Sequence, residues 1–159
     1  MYNDIQNTVE KHKFSYVALQ IIVMVSFCRN LQKRGTYAMH PGKESGTIII
    51  CTILHKLNFP IHRLGYAHLS LAITRYAQGD MQSLAKEVYP YVAEHFGYTD
   101  GRAIECTIRS AIADAWVTGD PQVWGLYFPG CSKAPSNKRL IATLAEHLQQ
   151  NTPPENGRG

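Results

Sequence analysis

Five polar or basic side chains share one face of a predicted helix in the second half of the chain. Arg102, Cys106 and Arg109 follow the row i, i+4 and i+7, and Glu105 and Ser110 lie beside it. An arginine near the start of a helix in the DNA major groove can donate two hydrogen bonds to guanine, or can bind a phosphate. A glutamate can accept from cytosine or hold an arginine in place. These residues are therefore candidates for DNA contact. The alternative is an ordinary solvated face with helix ion pairs worth roughly 0.2–0.5 kcal/mol each.

A second basic cluster surrounds the start of the last predicted helix. It contains Lys133, Lys138 and Arg139, and Ser136 or Asn137 is the expected N-cap of that helix. Backbone N–H groups at a helix N-terminus together with three cations suit a phosphate group. The alternative is surface charge without a partner. The cluster is therefore a second candidate for DNA contact.

Nothing typical of an active site accompanies these residues. The sequence has no nucleophile elbow, no glycine loop that could cradle a phosphate, and no carboxylate pair on a predicted cleft. The four cysteines are widely separated, at Cys28, Cys51, Cys106 and Cys131. We interpret them as reduced thiols, because no pair has the spacing of a zinc or redox motif. His62 and His68 are interpreted as ordinary core or surface histidines. We therefore expect no enzyme, no cofactor, no metal and no small-molecule substrate.

The composition is that of one soluble globular domain. The chain has 159 residues, of which 45% are apolar, and a net charge of +4. Residues 1–45 carry a net charge of +3, which leaves only +1 for residues 46–159. A DNA-binding surface in the second part must therefore depend on local placement of its basic side chains.

An uncharged apolar stretch runs from Phe14 to Cys28. It is shorter than the roughly 17–25 residues that span a bilayer, and no small-residue cleavage site follows it. Its content of Val and Ile suits a buried strand or a core helix, between which periodicity cannot decide. We expect a cytoplasmic protein, with a membrane anchor as the less favoured alternative.

The region from residue 47 to residue 148 has helical periodicity throughout and predicts an all-α domain of six helices. The expected helical segments are 48–57, 62–77, 80–96, 101–117, 122–127 and 137–148. Asp80 is the expected N-cap of the third segment, and Pro90 should kink that segment or begin a new helix. Residues 1–46 are expected to form an N-terminal extension and linker, and residues 149–159 a disordered tail.

Two of these helices have the form of a helix-turn-helix over residues 83–117. The turn between them, residues 97–99, begins with a glycine, and Thr99 or Asp100 can cap the second helix. Apolar positions recur in that helix every 3.6 residues. They are Ile104, Ile108, Ala111, Ile112, Ala115 and Trp116. We therefore expect Trp116 to be largely buried and the basic row on the opposite side to be exposed.

Four stretches resemble the C-terminal effector domain of the stage-zero sporulation response regulator, the master sporulation transcription factor of endospore-forming bacteria. They are GYAHLSLAI (65–73), YPYVAEHF (89–96), IRSAIADAW (108–116) and APSNKRLIATLAEHL (134–148). Their order and spacing are those of the family, and the resemblance covers roughly Ile48 to Leu148. It implies a six-helix fold whose helix at 101–117 enters the DNA major groove. It therefore implies double-stranded DNA as a partner, with a homodimer on DNA and RNA polymerase as further candidates.

The recognition face departs from that family at three positions. Ala103, Cys106 and Ser110 stand where long basic or imidazole side chains are usual, whereas Glu105 and Arg109 match the family. The operator that the family reads is therefore not assumed for this chain.

The segment before the helical domain also departs from the family. Residues 1–46 are too short for the phosphoaccepting receiver domain that the family normally carries, and they lack its acidic cluster. Control by aspartyl phosphorylation is therefore not expected within this chain. We predict a sequence-specific, double-stranded DNA-binding transcription regulator. The alternative is an interaction or decoy protein that keeps the fold, pairs with a full-length regulator and does not read DNA.

Overall fold

The structure, a computed structural model, describes residues 43–151. Within that range the chain forms six α-helices and no strand, as the periodicity predicts. The helices are α1 (Lys43–Lys56), α2 (Leu64–Tyr76), α3 (Tyr89–Phe96), α4 (Gly101–Thr118), α5 (Pro121–Tyr127) and α6 (Asn137–Asn151). A π-helical turn, Leu84–Val88, leads directly into α3. The predictions for the N-terminal extension, including the apolar stretch and Cys28, and for most of the tail lie outside the described residues.

The outer helices are longer than the sequence pattern predicts. Helix α1 begins at Lys43, inside the segment interpreted as a linker, and α6 continues to Asn151. At its other end α1 stops at Lys56, because Asn58 has a positive φ of 63° and Pro60 cannot continue a helix. None of the helices in the described part of the chain is long and apolar enough to cross a membrane.

Helix α2 is the central element of the core. Most of its residues are buried, and it packs against α1, α4 and α6. Leu69, Ala72 and Ile73 have no exposed surface. A helix that is apolar on most sides is stable only when neighbours surround it, and α1, α4 and α6 supply most of this cover for α2.

A close crossing joins α2 to α4 at Gly65. A Cβ atom at this position would lie 2.5 Å from the carbonyl oxygen of Thr107 and 2.7 Å from the Cβ of Ala111. Both neighbouring groups belong to α4, and neither can rotate away. The absence of a side chain at Gly65 therefore allows α4 to lie directly against the central helix.

The start of the α3 region is capped by Ser83. Its hydroxyl accepts a hydrogen bond from the Lys86 N–H at 3.2 Å. The Glu87 carboxylate accepts from the N–H of Ser83 at 2.7 Å and of Gln82 at 2.8 Å. These bonds, first from Ser83 and then from Gln82, lower the pKa of Glu87. The arrangement is a reciprocal capping box with one extra residue, as a π-helical turn requires.

The prediction that Asp80 caps this helix is wrong. Its carboxylate binds the Arg75 guanidinium through two hydrogen bonds, at 2.8 and 2.9 Å. Arg75 also lies over the Tyr91 ring, 5.1 Å from its centroid. A bidentate charged pair of this kind is stronger than one capping bond, so Asp80 faces α2 instead. The prediction for Pro90 is confirmed, because it stands in the first turn of the separate helix α3.

Candidate nucleic-acid interface

Helices α3 and α4 are joined by a tight turn. Gly97 ends α3 in the left-handed region with a φ of 76°, and the Tyr98 N–H donates to the Ala93 carbonyl at 2.8 Å. This pattern is a Schellman motif, which favours glycine because a side chain would strain the positive φ. Asp100 then caps α4, since its carboxylate accepts from the Arg102 N–H at 2.9 Å. The two helices and their turn have the form of a helix-turn-helix.

The apolar side of α4 packs against the core as its periodicity predicts. The buried residues are Ile104, Ile108, Ala111, Ile112 and Ala115. Trp116 is mostly buried, as expected, although less completely than these five residues. Its ring packs edge-on against Trp124 of α5, with centroids 5.0 Å apart. The orientation of α4 is thus set by five buried positions, and the opposite side faces solvent.

The basic row lies on that solvent side. Arg102, Cys106, Arg109 and Ser110 are exposed, and Glu105 is half-buried beside them. Arg109 Nη2 donates to Glu105 Oε1 at 2.5 Å, and 67% of the Arg109 side chain remains exposed. Among the ion pairs of residues 43–151, none involves Arg102. Glu105 therefore restrains one arginine of the row, while the other is accessible near the N-terminus of the helix.

The second basic cluster is attached to the first by a hydrogen bond. Asn137 Nδ2 donates to the Glu105 carbonyl oxygen at 3.0 Å, which ties the start of α6 to the middle of α4. The Ser136 hydroxyl accepts a hydrogen bond from the Arg139 backbone N–H at 3.3 Å. Lys133, Lys138 and Arg139 are all exposed. The two clusters predicted from separate parts of the sequence are therefore neighbours at this hydrogen bond.

An open groove of about 660 Å³ lies between α4, the start of α6 and the π-helical turn. Arg109 and Lys138 line it from two sides, and Gln82 and Ser83 line it from the third. Arg102, Lys133 and Arg139 are not part of its lining. The groove therefore combines one cation from each predicted cluster with polar groups that the sequence interpretation did not single out.

Part of the groove lining is apolar. Tyr89, Ile112 and Pro135 are buried residues that contribute to it. Burial raises the pKa of the Tyr89 phenol, and a hydrogen bond with the Asn137 side chain partly opposes that rise. The phenol is therefore neutral near pH 7. The charges beside the groove come from Arg109, Lys138 and the Glu105 carboxylate.

Gln82 and Ser83 could have been found from the sequence. Ser83 precedes Glu87 by four residues, close to the spacing of a capping box, and the helix-turn-helix pattern begins at this position. The signal was weak because Asp80 offered a competing cap. Their position in the groove depends on the contact between α3 and α4, which the local sequence does not reveal.

The described residues offer no metal site. No group of three or more His, Cys, Asp or Glu side chains within residues 43–151 is arranged to hold an ion. Cys51, Cys106 and Cys131 are thiols, and Cys106 is exposed in the basic row.

The all-α fold, the tight turn and the basic solvent face of α4 define the class of helix-turn-helix DNA-binding domains. Residues 50–148 match the family described as "Sporulation initiation factor Spo0A C terminal", and the chain belongs to this family. The resemblance inferred from the four sequence stretches is thereby confirmed. The family is the DNA-binding domain of a sporulation transcription factor and is not a family of enzymes. No individual curated protein matches the chain.

Proposed function

We propose that this chain is a transcription regulator that binds specific sites in double-stranded DNA through α4. The observation that carries the proposal is the outward row of Arg102 and Arg109 on a helix whose opposite side is fixed in the core. A helix of this width fits the major groove, where arginine can donate two hydrogen bonds to guanine. Family membership supports DNA as the partner.

Arg109 is the proposed base-reading residue. Its bond to Glu105 at 2.5 Å restricts the guanidinium while leaving most of the side chain exposed. A restrained arginine loses less conformational entropy when it binds a base edge. Arg102 lies about two turns earlier, where it can reach a base edge or a phosphate.

We propose that one sugar–phosphate backbone of the duplex lies in the groove beside α4. Lys138 supplies a cation, and Ser83 and Ser136 supply hydroxyl groups along its edge. Phosphate contacts of this type position a protein on the duplex without reading its sequence. Lys133 and Arg139 lie outside the groove lining and are proposed to bind phosphates farther along the duplex.

Specificity is proposed to be weaker than in other members of the family. Cys106 and Ser110 are exposed on the reading face, but their side chains are too short to replace an arginine fork. Each missing bidentate contact removes about 1–3 kcal/mol of discrimination between bases. The protein should therefore bind both its operator and random DNA, with a smaller ratio between the two affinities.

The test is a competition titration at fixed salt with an operator selected from a random duplex library. Arg109→Ala should weaken binding to every duplex and to the operator most, because a base contact is lost together with a cation, whereas Cys106→Arg should increase the preference for the operator that the family reads. Arg63→Ala is the matched control, because Arg63 is also exposed and binds a carboxylate of α4, Asp114, at 2.6 Å. It should bind DNA like the wild type.

Two results would contradict this proposal. Normal binding by Arg109→Ala would exclude α4 as the reading helix. A lack of DNA binding by the wild type at low salt would favour the alternative, an interaction protein that keeps the fold and pairs with a full-length regulator. A homodimer on DNA, a contact with RNA polymerase and a cytoplasmic location remain predictions. Measurement of the stoichiometry on the selected operator tests the first of these.

A further inference from the structure

His68 is fully buried at the point where the helix-turn-helix meets the central helix α2. Its Nδ1 lies 2.7 Å from the Thr107 hydroxyl of α4. Its ring packs edge-on against Phe96 at 4.6 Å and against Tyr98 at 5.4 Å between centroids. One side chain of α2 thus contacts the end of α3, the turn and α4.

The hydrogen bonds around Thr107 assign the tautomer of His68. The Thr107 hydroxyl donates its single proton to the Ile104 carbonyl at 3.0 Å, so its oxygen accepts from His68. The proton of the neutral imidazole is therefore on Nδ1. His68 Nε2 carries a lone pair, is buried, and has no hydrogen-bond partner among the residues that the structure describes.

Protonation of His68 would place a second N–H and a positive charge at that buried nitrogen. The rings of Phe96 and Tyr98 lie beside the imidazole, and within residues 43–151 no acceptor lies within reach of Nε2. A buried charge without a partner is strongly destabilising, so the protonated side chain must leave its site or the site must open. Either movement separates α2 from the turn and from α4.

The described groups that contact His68 supply no compensating charge. On α4 the neighbouring group is Thr107, which does not titrate, and on the turn it is the Tyr98 phenol. On α3 the titratable group next to this contact is His95, which packs on Phe96 with centroids 5.3 Å apart. Burial alone lowers the pKa of His68 from its ordinary value of 6.5. The stability that neutral His68 contributes is therefore present above pH 6.5 and is lost as the pH falls below it.

We propose that His68 is a proton-sensitive latch that holds the recognition helix α4 and its turn on α2 only while the imidazole is neutral. Acidification releases the latch and thereby lowers the affinity for DNA. The effect on DNA affinity rests on the proposed function. Gly65, one turn before His68 on α2, makes the close crossing with α4. Loss of the latch therefore loosens the packing that positions the whole reading face.

The test compares the full 159-residue chain with His68→Asn and His68→Phe. Asparagine keeps a donor for Thr107, phenylalanine keeps a ring, and neither can take a charge. His95→Asn is the matched control, because it removes a histidine that also packs on Phe96 but is only partly buried. Urea unfolding followed by tryptophan fluorescence at pH 7.5, 6.5 and 5.5 measures the latch without DNA. The dissociation constant of the selected operator is then measured in the same buffers.

We expect the unfolding constant of the wild type and of His95→Asn to rise more steeply below pH 6.5 than that of either His68 variant, by up to about tenfold per pH unit. The dissociation constant should follow the same order. An equal pH dependence in all four proteins would overturn the latch. A difference in unfolding without a difference in DNA affinity would overturn the proposed effect on DNA affinity. If the wild type binds no DNA at pH 7.5, the proposed function is wrong, and the proposed effect of His68 on DNA affinity is wrong too. Urea unfolding still decides whether neutral His68 holds α4 on α2.

Discussion

Replacement of Gly65 by alanine tests how tightly the recognition helix is held on the core. The new Cβ would lie 2.5 Å from the Thr107 carbonyl oxygen and 2.7 Å from the Ala111 Cβ. Real Cβ atoms do not approach so closely, and the carbonyl oxygen belongs to the hydrogen-bonded backbone of α4. The two helices must therefore move apart.

Two opposing effects decide the size of the change. An alanine inside a helix stabilises it by about 1 kcal/mol relative to glycine. Overpacking in a close-packed region destabilises by roughly 1–3 kcal/mol. We expect the second effect to be larger, since neither neighbour can rotate away, and predict a net loss of up to about 2 kcal/mol in the free energy of unfolding.

Gly125 offers a matched control for this substitution. It also lies inside a helix, α5, but a Cβ there would meet nothing within 4 Å. Gly125→Ala should therefore stabilise the protein by roughly 0.5–1 kcal/mol through helix propensity alone. Urea unfolding of the two variants beside the wild type measures both changes. Gly65→Ala should also weaken DNA binding, whereas Gly125→Ala should leave it unchanged. Equal stabilisation by both substitutions would show that the close crossing between α2 and α4 does not exist.

Three further predictions concern the N-terminal starts of α4, of α6 and of the π-helical turn. Lys138→Ala combined with Arg139→Ala should weaken binding to all duplexes about equally and lower the slope of log K against log salt by roughly one to two units. Asp100→Ala should reduce the free energy of unfolding by about 1 kcal/mol, because the capping bond at the start of α4 is lost. Glu87→Gln should flatten the loss of stability on acidification. The wild-type carboxylate, whose pKa is lowered first by the Ser83 N–H, stabilises the fold above about pH 4.5 and loses that effect as the pH falls below it.

Each of these predictions has a control that isolates its cause. Lys56→Ala removes an exposed cation at the end of α1 and should leave the salt slope unchanged. Asp100→Asn keeps the capping acceptor and should retain most of the stability. Glu94→Gln changes an exposed carboxylate of α3 and should leave the acid profile as in the wild type. An unchanged slope, an unchanged stability of Asp100→Ala, or the same acid profile for Glu87→Gln and the wild type would contradict the respective prediction.

The parts of the fold that were predicted correctly depend on local sequence. The burial of Ile104, Ile108 and Ile112 follows from a repeat of 3.6 residues, which needs no knowledge of the partner helices. The end of α3 at Gly97 and its start around Pro90 follow from backbone preferences of those two residue types. The Glu105–Arg109 pair follows from the i, i+4 spacing.

Most of the parts that were missed depend on residues far apart in the chain. The Asp80 cap is the exception, because Arg75, only five positions earlier on α2, binds the Asp80 carboxylate instead. The groove is lined by Asn137 and Glu105, which a hydrogen bond joins across 32 positions. The residues next to His68 in the sequence do not predict its burial, and its hydrogen-bond partner Thr107 lies 39 positions away. Such contacts become visible only when the packing of the helices is known.

The two sides of α4 should therefore respond differently to mutation. Gly65, His68 and Asn137 hold its inner side, so changes there move the whole reading face and should weaken binding to operator and random DNA by similar factors. Cys106 and Arg102 are exposed on the outer side, so changes there should alter the ratio of the two affinities and leave unfolding nearly unchanged. Affinity ratios and unfolding free energies measured for both groups of variants distinguish residues that position α4 from residues that read the DNA sequence. An inner-side variant that changes the ratio without changing stability would show that α4 is not positioned as a rigid unit.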